Sequence, residues 1–279
     1  MSAPNQELLS INSVTVRDQY NLRDLVKACA RRGIRGIAPW RDKLAEVGAK
    51  EAGKMFRDNG ITATSLCRAG MFPAADRKGR RDVYDENRRA VDEAAIIEAK
   101  NLVIIAGGLP AGSKDLPGAW EMVRDGLGAL LDHARSVGVP LALEPLHPMF
   151  AADRACVNTL RHALDICDEL DSSKSGALGV AVDAYHVWWD PECEKQIERA
   201  GEKRLLGFHL CDWLVPTTDM LLDRGMMGDG VIDLPKLRGW VERVGFHGFH
   251  EVEILSKKWW QRPGDEVLAI AQERHQSVC

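Results

Sequence analysis

The feature that most constrains the fold of this chain is a regular alternation of short aliphatic runs with longer amphipathic segments. Runs rich in β-branched and aliphatic residues predict strands, and apolar residues at every third or fourth position predict helices. The predicted strands are Glu7–Ser13, Ile34–Ala38, Thr62–Leu66, Asn101–Ala106, Pro140–Leu146, Leu178–Asp183, Leu205–Leu210 and Phe249–Leu255. The predicted helices are Asn21–Arg32, Leu44–Asn59, Val83–Lys100, Ala119–Val137, Ala155–Leu170, Glu192–Ala200, Leu234–Val244 and Gly264–His275. Each strand is followed by a helix, so the chain consists of eight βα units.

The number and size of these units select one fold class. A (β/α)8 TIM barrel occupies about 250 residues, close to the 279 residues of this chain. An open doubly wound sheet usually carries a glycine-rich phosphate loop after its first strand, and Ser10–Ser13 contains no glycine. No linker or change of composition divides the chain. We therefore expect an α/β fold, a (β/α)8 TIM barrel that forms a single domain over residues 1–279.

Charge and cysteine content narrow the partners and the compartment. The chain has 37 Lys and Arg against 41 Asp and Glu, a net charge of −4, and no broad basic surface for a nucleic acid. Met1–Asn12 lacks the pattern of a signal peptide, and no apolar stretch is long enough to span a bilayer. Seven cysteines without a CxxC pair predict reduced thiols. We expect a soluble, cytoplasmic protein that binds neither nucleic acid nor membrane.

Four strand ends carry residues that commonly bind metals. In a TIM barrel the carboxyl ends of all strands face one shared mouth. These ends supply Glu144, Asp183, His209 and Glu253. The residues two positions earlier share the inward face of each strand, and three of these four are small: Ala142, Ala181, Gly207 and Glu251.

Three carboxylates and an imidazole that converge in a barrel interior need a counter-charge. Buried charges without partners are strongly destabilising, and a divalent cation among them resolves the repulsion. An oxygen-rich set with one nitrogen suits Mn²⁺ first and also Mg²⁺ or Co²⁺, and Zn²⁺ stays open. The alternative is that the four residues are unrelated layer or surface charges.

Five short segments resemble one known family. They are Glu144–His147, Asp183–His186, His209–Asp212, Gly228–Gly230 and Glu251–Ile254. Over almost the whole chain, the sequence resembles the xylose isomerase-like TIM-barrel superfamily, in its sugar isomerase/epimerase branch. The resemblance implies one divalent metal held by Glu144, Asp183, His209 and Glu253, with Glu144 and Glu253 also serving as acid and base. It further implies a carbohydrate substrate, a keto-sugar or keto-polyol, and a homo-oligomer.

The chemistry of such a site follows from general principles. Removal of a proton beside a carbonyl gives an enediolate, which a metal ion stabilises by several kcal/mol. Two glutamates on opposite faces of the substrate can remove and return the proton, which gives epimerisation, or transfer it to the adjacent carbon, which gives isomerisation. Which glutamate is the base stays open.

Further residues are candidate substrate contacts. His186 and His147 each lie three residues after a predicted ligand, and the alternative for both is a packing or loop histidine. Asp212 is expected to orient His209 or to bind substrate, unless it is a solvated loop residue. Arg224 is carried over from the resembling epimerases, where an arginine binds a substrate hydroxyl. Tryptophans near the mouth, Trp40 and Trp213 among them, suit a sugar ring or an aromatic aglycone, or pack loops together.

The basic segment after the third predicted strand is interpreted as solvated surface charge rather than as a lid or phosphate clamp. Its residues are Arg68, Arg77, Lys78, Arg80 and Arg81. No Lys, Ser and Gly cluster forms a phosphate cradle, so an unphosphorylated substrate is expected.

Three other functions were weighed. A lyase or dehydratase, acting on a keto-inositol or a 3-keto-glycoside, uses the same proton abstraction to expel a β-leaving group. The endonuclease branch of the superfamily needs additional histidine ligands, and the third and fourth strand ends, Leu66–Arg68 and Ala106–Gly108, have none. A binding module without catalysis does not need the complete ligand set.

Overall fold

Strands and helices alternate along residues 4–279, which the computed structural model describes. The strands are β1 (Leu9–Asn12), β2 (Gly36–Ala38), β3 (Thr62–Ala63), β4 (Leu66–Gly70), β5 (Leu102–Ile105), β6 (Leu141–Glu144), β7 (Leu178–Asp183), β8 (Leu205–Leu210) and β9 (His250–Val252). The helices are α1 (Leu22–Arg31), α2 (Arg41–Ala45), α3 (Ala49–Asp58), α4 (Arg77–Ile96), α5 (Leu116–Val137), α6 (Leu160–Leu170), α7 (Ala184–Val187), α8 (Cys193–Arg204), α9 (Leu234–Arg243), α10 (Lys257–Trp260) and α11 (Gly264–Val278). Across residues 4–279, none of the helices combines the length and apolar character needed to cross a membrane.

The strands form one parallel sheet in the order β3-β2-β1-β9-β8-β7-β6-β5-β4. Its two edge strands, β3 and β4, follow each other directly and are separated only by Thr64 and Ser65, so together they occupy the place of the third predicted strand. A parallel bridge between Trp40, just beyond β2, and Cys67 in β4 closes the ring. The expected (β/α)8 TIM barrel in a single domain is confirmed.

Several predicted helices have different boundaries in the structure, and the predicted helix Ala155–Leu170 begins only at Leu160. The predicted helix Leu44–Asn59 is two helices, α2 and α3, because Gly48 between them adopts a left-handed φ of 81°. The predicted helix at Val83 begins earlier, because the Asp76 side chain accepts a hydrogen bond from the Gly79 N–H and caps α4. Most of the basic segment therefore lies on the first turns of α4, whereas Arg68 lies in β4.

Strand register places the site residues at one level. Asp183 in β7 pairs with His209 in β8, and His209 pairs with Glu251 in β9. The layer of side chains beneath Asp183 and His209 has room only for small residues. A Cβ at Gly207 would lie 3.2 Å from the Ala181 Cβ and 3.3 Å from His209 Nε2. The small inward residues thus leave space for the imidazole.

A buried arginine joins the starts of the two strands that carry Asp183 and His209. Arg204 precedes β8, is 1% exposed, and donates a hydrogen bond of 2.8 Å to the Leu178 carbonyl at the start of β7. Its guanidinium also lies 3.0 Å from the Asp168 carboxylate and 3.5 Å from the buried Asp171 carboxylate. Arg204 therefore links the two strands behind the site.

Replacing Arg204 should be costly for stability. Arg204→Met retains the aliphatic stem but leaves buried polar groups without their partner, so we expect a loss of about 3–5 kcal/mol in the free energy of unfolding. Arg199→Met is the matched control, because Arg199 pairs with Asp165 and Asp168 at the surface, where the loss should be about 1 kcal/mol or less. Urea unfolding measures both. Equal losses in the two variants would contradict the assigned role of Arg204.

Candidate active site and metal centre

The four predicted metal ligands converge at the carboxyl end of the barrel. One ligand atom from each of Glu144, Asp183, His209 and Glu253 lies within 4.8 Å of the others. All four side chains are buried. Glu144 is the last residue of β6, and Asp183 is the last residue of β7. His209 lies near the end of β8, and Glu253 directly follows β9. These four residues are called the acidic cluster below.

The two ring nitrogens of His209 face different groups. Nδ1 lies 2.8 Å from Glu144 Oε1 and 4.0 Å from Glu253 Oε2, so it faces the acidic cluster. Nε2 is buried, has no hydrogen-bond partner among residues 4–279, and lies 3.8 Å from Glu251 Oε1. The orientation leaves Nδ1 to bind a cation and turns Nε2 toward a second carboxylate.

Glu251 is a buried carboxylate in a polar network beneath the acidic cluster. Its oxygens accept hydrogen bonds from Asn12 Nδ2 at 2.8 Å, Ser65 Oγ at 2.9 Å and Thr64 Oγ1 at 3.2 Å. Asn12 also donates to Glu253 Oε1 at 3.1 Å. A carboxylate beside the outer nitrogen of a ligand imidazole holds the ring in place and fixes which nitrogen carries the proton.

Sequence reasoning identified Glu251 only as an inward-facing residue and missed this role. The available signal was the Glu251-Val252-Glu253 pattern, since residues two apart in a strand share one face.

Arg224 reaches the acidic cluster from the long segment between β8 and α9. Its side chain is buried, and Nη1 lies 3.0 Å from Asp183 Oδ2 and 3.2 Å from Glu253 Oε2. The guanidinium also lies over the Tyr185 ring, 4.4 Å from its centre. The charge of Arg224 is therefore matched within the site.

Burial dominates the ionisation of the two cluster glutamates. It raises the pKa of Glu253 to about 8, against the opposing effect of Arg224. It also raises the pKa of Glu144, although the hydrogen bond to His209 opposes this. Both carboxylates are thus costly to keep charged without a further cation.

Neighbouring charges set the direction of the pKa shift at Asp183 and His209. Burial alone would raise the pKa of Asp183, but Arg224 and two histidines outweigh it and hold the pKa below its usual value. Burial alone would lower the pKa of His209, but Glu251 and Glu144 raise it well above its usual value. The surrounding carboxylates thus favour positive charge at the position of the imidazole.

A divalent cation balances the acidic cluster. With the three carboxylates ionised and His209 neutral, as metal binding requires, the acidic cluster and Arg224 together have an excess of two negative charges. His209 Nδ1 faces the carboxylates of Glu144 and Glu253, so it is oriented toward the position that a cation would take. The donor set therefore fits a divalent metal ion by charge and by ligand type.

A cavity opens onto the acidic cluster. Among the predicted substrate contacts, Trp40, His186 and Arg224 line it, together with Glu144 and Glu253. Its walls are apolar and include Ile105, Leu146, Phe150, Leu221 and Leu255.

His186 is a neutral imidazole at this cavity. Burial lowers its pKa to about 3, although Asp183 opposes the shift. The backbone N–H of His147 donates to Nδ1 at 3.1 Å. Nε2 lies 3.2 Å from Arg224 Nη2 and 3.6 Å from Asp183 Oδ2, so it faces the acidic cluster.

His147 and Trp213 lie behind the cavity rather than in its lining. The His147 ring stacks on Trp213 with centroids 4.9 Å apart and meets the edge of Trp189 at 5.5 Å. Its Nδ1 accepts the backbone N–H of Met149. Both residues therefore pack loops together, as the alternative interpretation predicts.

Asp212 holds a loop and does not contact His209. Its carboxylate accepts four backbone N–H groups, those of Trp213, Gly228, Gly230 and Ile232, at 2.8–3.0 Å. Glu251, not Asp212, faces the outer nitrogen of His209. A Cβ at Gly230 would lie 2.1 Å from the Trp213 carbonyl, which explains the glycine in this turn.

Comparison with known proteins identifies relatives of this chain. A protein of Sinorhizobium meliloti 1021 named SMc04130 has a crystal structure with a TM-score of 0.95 and 56% identity, and the match covers 99% of both chains. Inosose isomerase of Halalkalibacterium halodurans is 21% identical over 276 residues, which are 95% of this chain and 94% of that protein. The crystal structure of IolI protein with a bound zinc atom shares the fold, with a TM-score of 0.82, 21% identity and 97% coverage of both chains.

The family model described as xylose isomerase-like TIM barrel matches residues 26–275, which is most of the chain. The resemblance seen in the sequence is thereby confirmed, and the chain belongs to the xylose isomerase-like TIM barrel family.

Proposed function

We propose that this protein is a divalent-metal-dependent isomerase or epimerase of a keto-sugar or keto-polyol. The observation that carries the proposal is the convergence of Glu144, Asp183, His209 and Glu253 beside a small-molecule cavity. The relative named inosose isomerase and the zinc-bound IolI protein support the same class of reaction and a metal.

The acidic cluster would hold the metal through its three carboxylates and His209 Nδ1. Mn²⁺ is the first candidate, and Mg²⁺, Co²⁺ and Zn²⁺ also match the ligand types. When bound, the metal supplies a Lewis acid that stabilises negative charge developing on substrate oxygens.

The two glutamates that line the cavity are placed to move protons. Glu144 ends β6 and Glu253 follows β9, so they approach the cavity from different strands. One carboxylate removes the proton beside the substrate carbonyl, and the other returns a proton to the same or the adjacent carbon. Return to the same carbon gives an epimer, and return to the adjacent carbon gives an isomer.

Two further side chains orient the substrate. His186 lines the cavity with Nε2 beside Arg224 Nη2, so the imidazole and the guanidinium together contact a substrate oxygen. Arg224 lines the same cavity and adds a charged donor next to Glu253. The apolar walls restrict water, which strengthens these interactions.

Replacing Glu253 should abolish proton transfer. Glu253→Gln removes the carboxylate and retains its size, so deuterium uptake from D₂O into a reactive keto-sugar should fall about 100- to 10,000-fold at saturating Mn²⁺. Glu169→Gln, at an exposed carboxylate, should leave the rate unchanged. Mass spectrometry follows the exchange, and concurrent loss of water or of an aglycone would indicate the lyase reaction. Uptake near the wild-type rate in Glu253→Gln would exclude its proposed role.

Metal binding should stabilise the fold, because the ion binds the assembled acidic cluster and not the unfolded chain. Mn²⁺ at 100 times its dissociation constant adds about 2.7 kcal/mol, and EDTA should reverse the gain. Asp183→Asn should lose most of this stabilisation, whereas Asp153→Asn, at an exposed position, should retain it. Thermal unfolding with and without Mn²⁺ measures the effect. An unchanged melting temperature in the wild type, with no metal retained on the protein, would contradict the proposed centre.

A further inference from the structure

The cavity lining comes from two sides of the barrel. The side of the acidic cluster, formed by β6 to β9 and the segments after them, offers carboxylates, an imidazole and Arg224. On the other side, Trp40 follows β2 and Arg68 lies in β4, and these strands lie across the ring from β8. Arg154 precedes Ala155, which bridges Gly107 after β5, and no Ser, Thr, Asn, Gln or Tyr belongs to the lining within residues 4–279. This far end of the cavity therefore presents hydrogen-bond donors and no side-chain acceptor in the lining.

Arg68 is a cavity residue without a counter-ion. It lies in β4, one residue after Cys67, and its side chain is partly buried. Within residues 4–279, no carboxylate lies within 4.0 Å of its guanidinium, whereas Arg224 has two such partners. Arg68 was interpreted from the sequence as solvated charge, but the structure places it in the lining of the cavity.

Arg154 faces the same cavity from the segment after β6. Its guanidinium lies 5.9 Å from the centre of the Phe150 ring, another lining residue. Its carboxylate neighbour is the adjacent Asp153, at 3.7 Å, and the Asp153 side chain is 83% exposed. An ion pair that exposed contributes little, so the charge of Arg154 stays available to a ligand.

Trp40 adds a neutral donor to this end. It lines the cavity, and its indole N–H is buried without a hydrogen-bond partner among residues 4–279. A buried donor without a partner is destabilising, and a ligand oxygen relieves that cost. Trp40, Arg68 and Arg154 are called the anion subsite below.

We propose that the substrate of this enzyme carries an anionic group, a carboxylate or a phosphate, held by the anion subsite. This inference rests on the proposed function and narrows its substrate class to acidic keto-sugars or keto-polyols. A sugar hydroxyl can accept from arginine, but its own proton would find no side-chain acceptor at this end of the cavity. A carboxylate or phosphate has several acceptor oxygens, and its charge matches two guanidinium groups.

The test uses three probes that differ at one carbon. D-Fructose, D-fructuronate and D-fructose 6-phosphate share the keto end and carry a hydroxyl, a carboxylate or a phosphate at the last carbon. Calorimetry of each probe with the Mn²⁺-loaded full chain measures the dissociation constant. At least one anionic probe should bind 10- to 100-fold more tightly than D-fructose, and the carboxylate and phosphate arms identify which anion is preferred.

Arginine variants distinguish binding of the anionic group at the anion subsite from its direct binding to the metal. Arg68→Met and Arg154→Met should each reduce the anionic advantage about tenfold and leave D-fructose binding unchanged. Arg161→Met is the control, since Arg161 is exposed and lies outside the cavity lining. Equal affinity for the three probes, no detectable binding of the anionic probes, or an anionic advantage that survives both cavity variants would overturn the anion subsite.

Deuterium exchange separates this inference from the proposed function. An anionic probe that binds through Arg68 and Arg154 but takes up no deuterium would support the anion subsite and count against enolisation. Exchange of D-fructose at the same efficiency as the anionic probes would support the proposed function and overturn the anion subsite.

Discussion

The structure depends on one electrostatic constraint, the burial of three carboxylates within 4.8 Å of one another at the end of a parallel barrel. Burial of like charges is strongly unfavourable unless other groups compensate for it. Arg224 offsets one negative charge, and a divalent cation is the simplest group that offsets the remaining two. The glycine and alanine beneath His209 and the polar network around Glu251 then follow as requirements for holding the imidazole toward that cation.

Much of this arrangement was predictable from the sequence because a TIM barrel converts strand ends into neighbours. Glu144, Asp183 and His209 are recognisable as the last polar residues of aliphatic runs, and the fold alone brings them together. Asp212 was harder to interpret, because a loop aspartate gives no sign of which donors surround it. Three of its four backbone partners lie 16 to 20 residues later in the chain.

Arg68 illustrates a second limit of sequence reasoning. The third barrel strand is interrupted between β3 and β4, so the inward and outward positions after Thr64 and Ser65 do not follow a simple alternation. Arg68 precedes a run of basic residues in the sequence and was therefore interpreted as surface charge. The structure places that run in α4 and Arg68 in the barrel strand β4. The register of Glu251 against His209 is likewise a property of strand pairing, which one strand does not reveal.

The acidic cluster, where we propose that the metal binds, is the reacting end of the cavity, and the anion subsite is its recognition end. Anomalous diffraction from crystals grown with Mn²⁺ locates that metal. We predict a single peak per chain, bounded by carboxylate oxygens of Glu144, Asp183 and Glu253 and by His209 Nδ1, with Nε2 still turned toward Glu251. A peak elsewhere, coordination through Nε2, or no peak at saturating Mn²⁺ would contradict it.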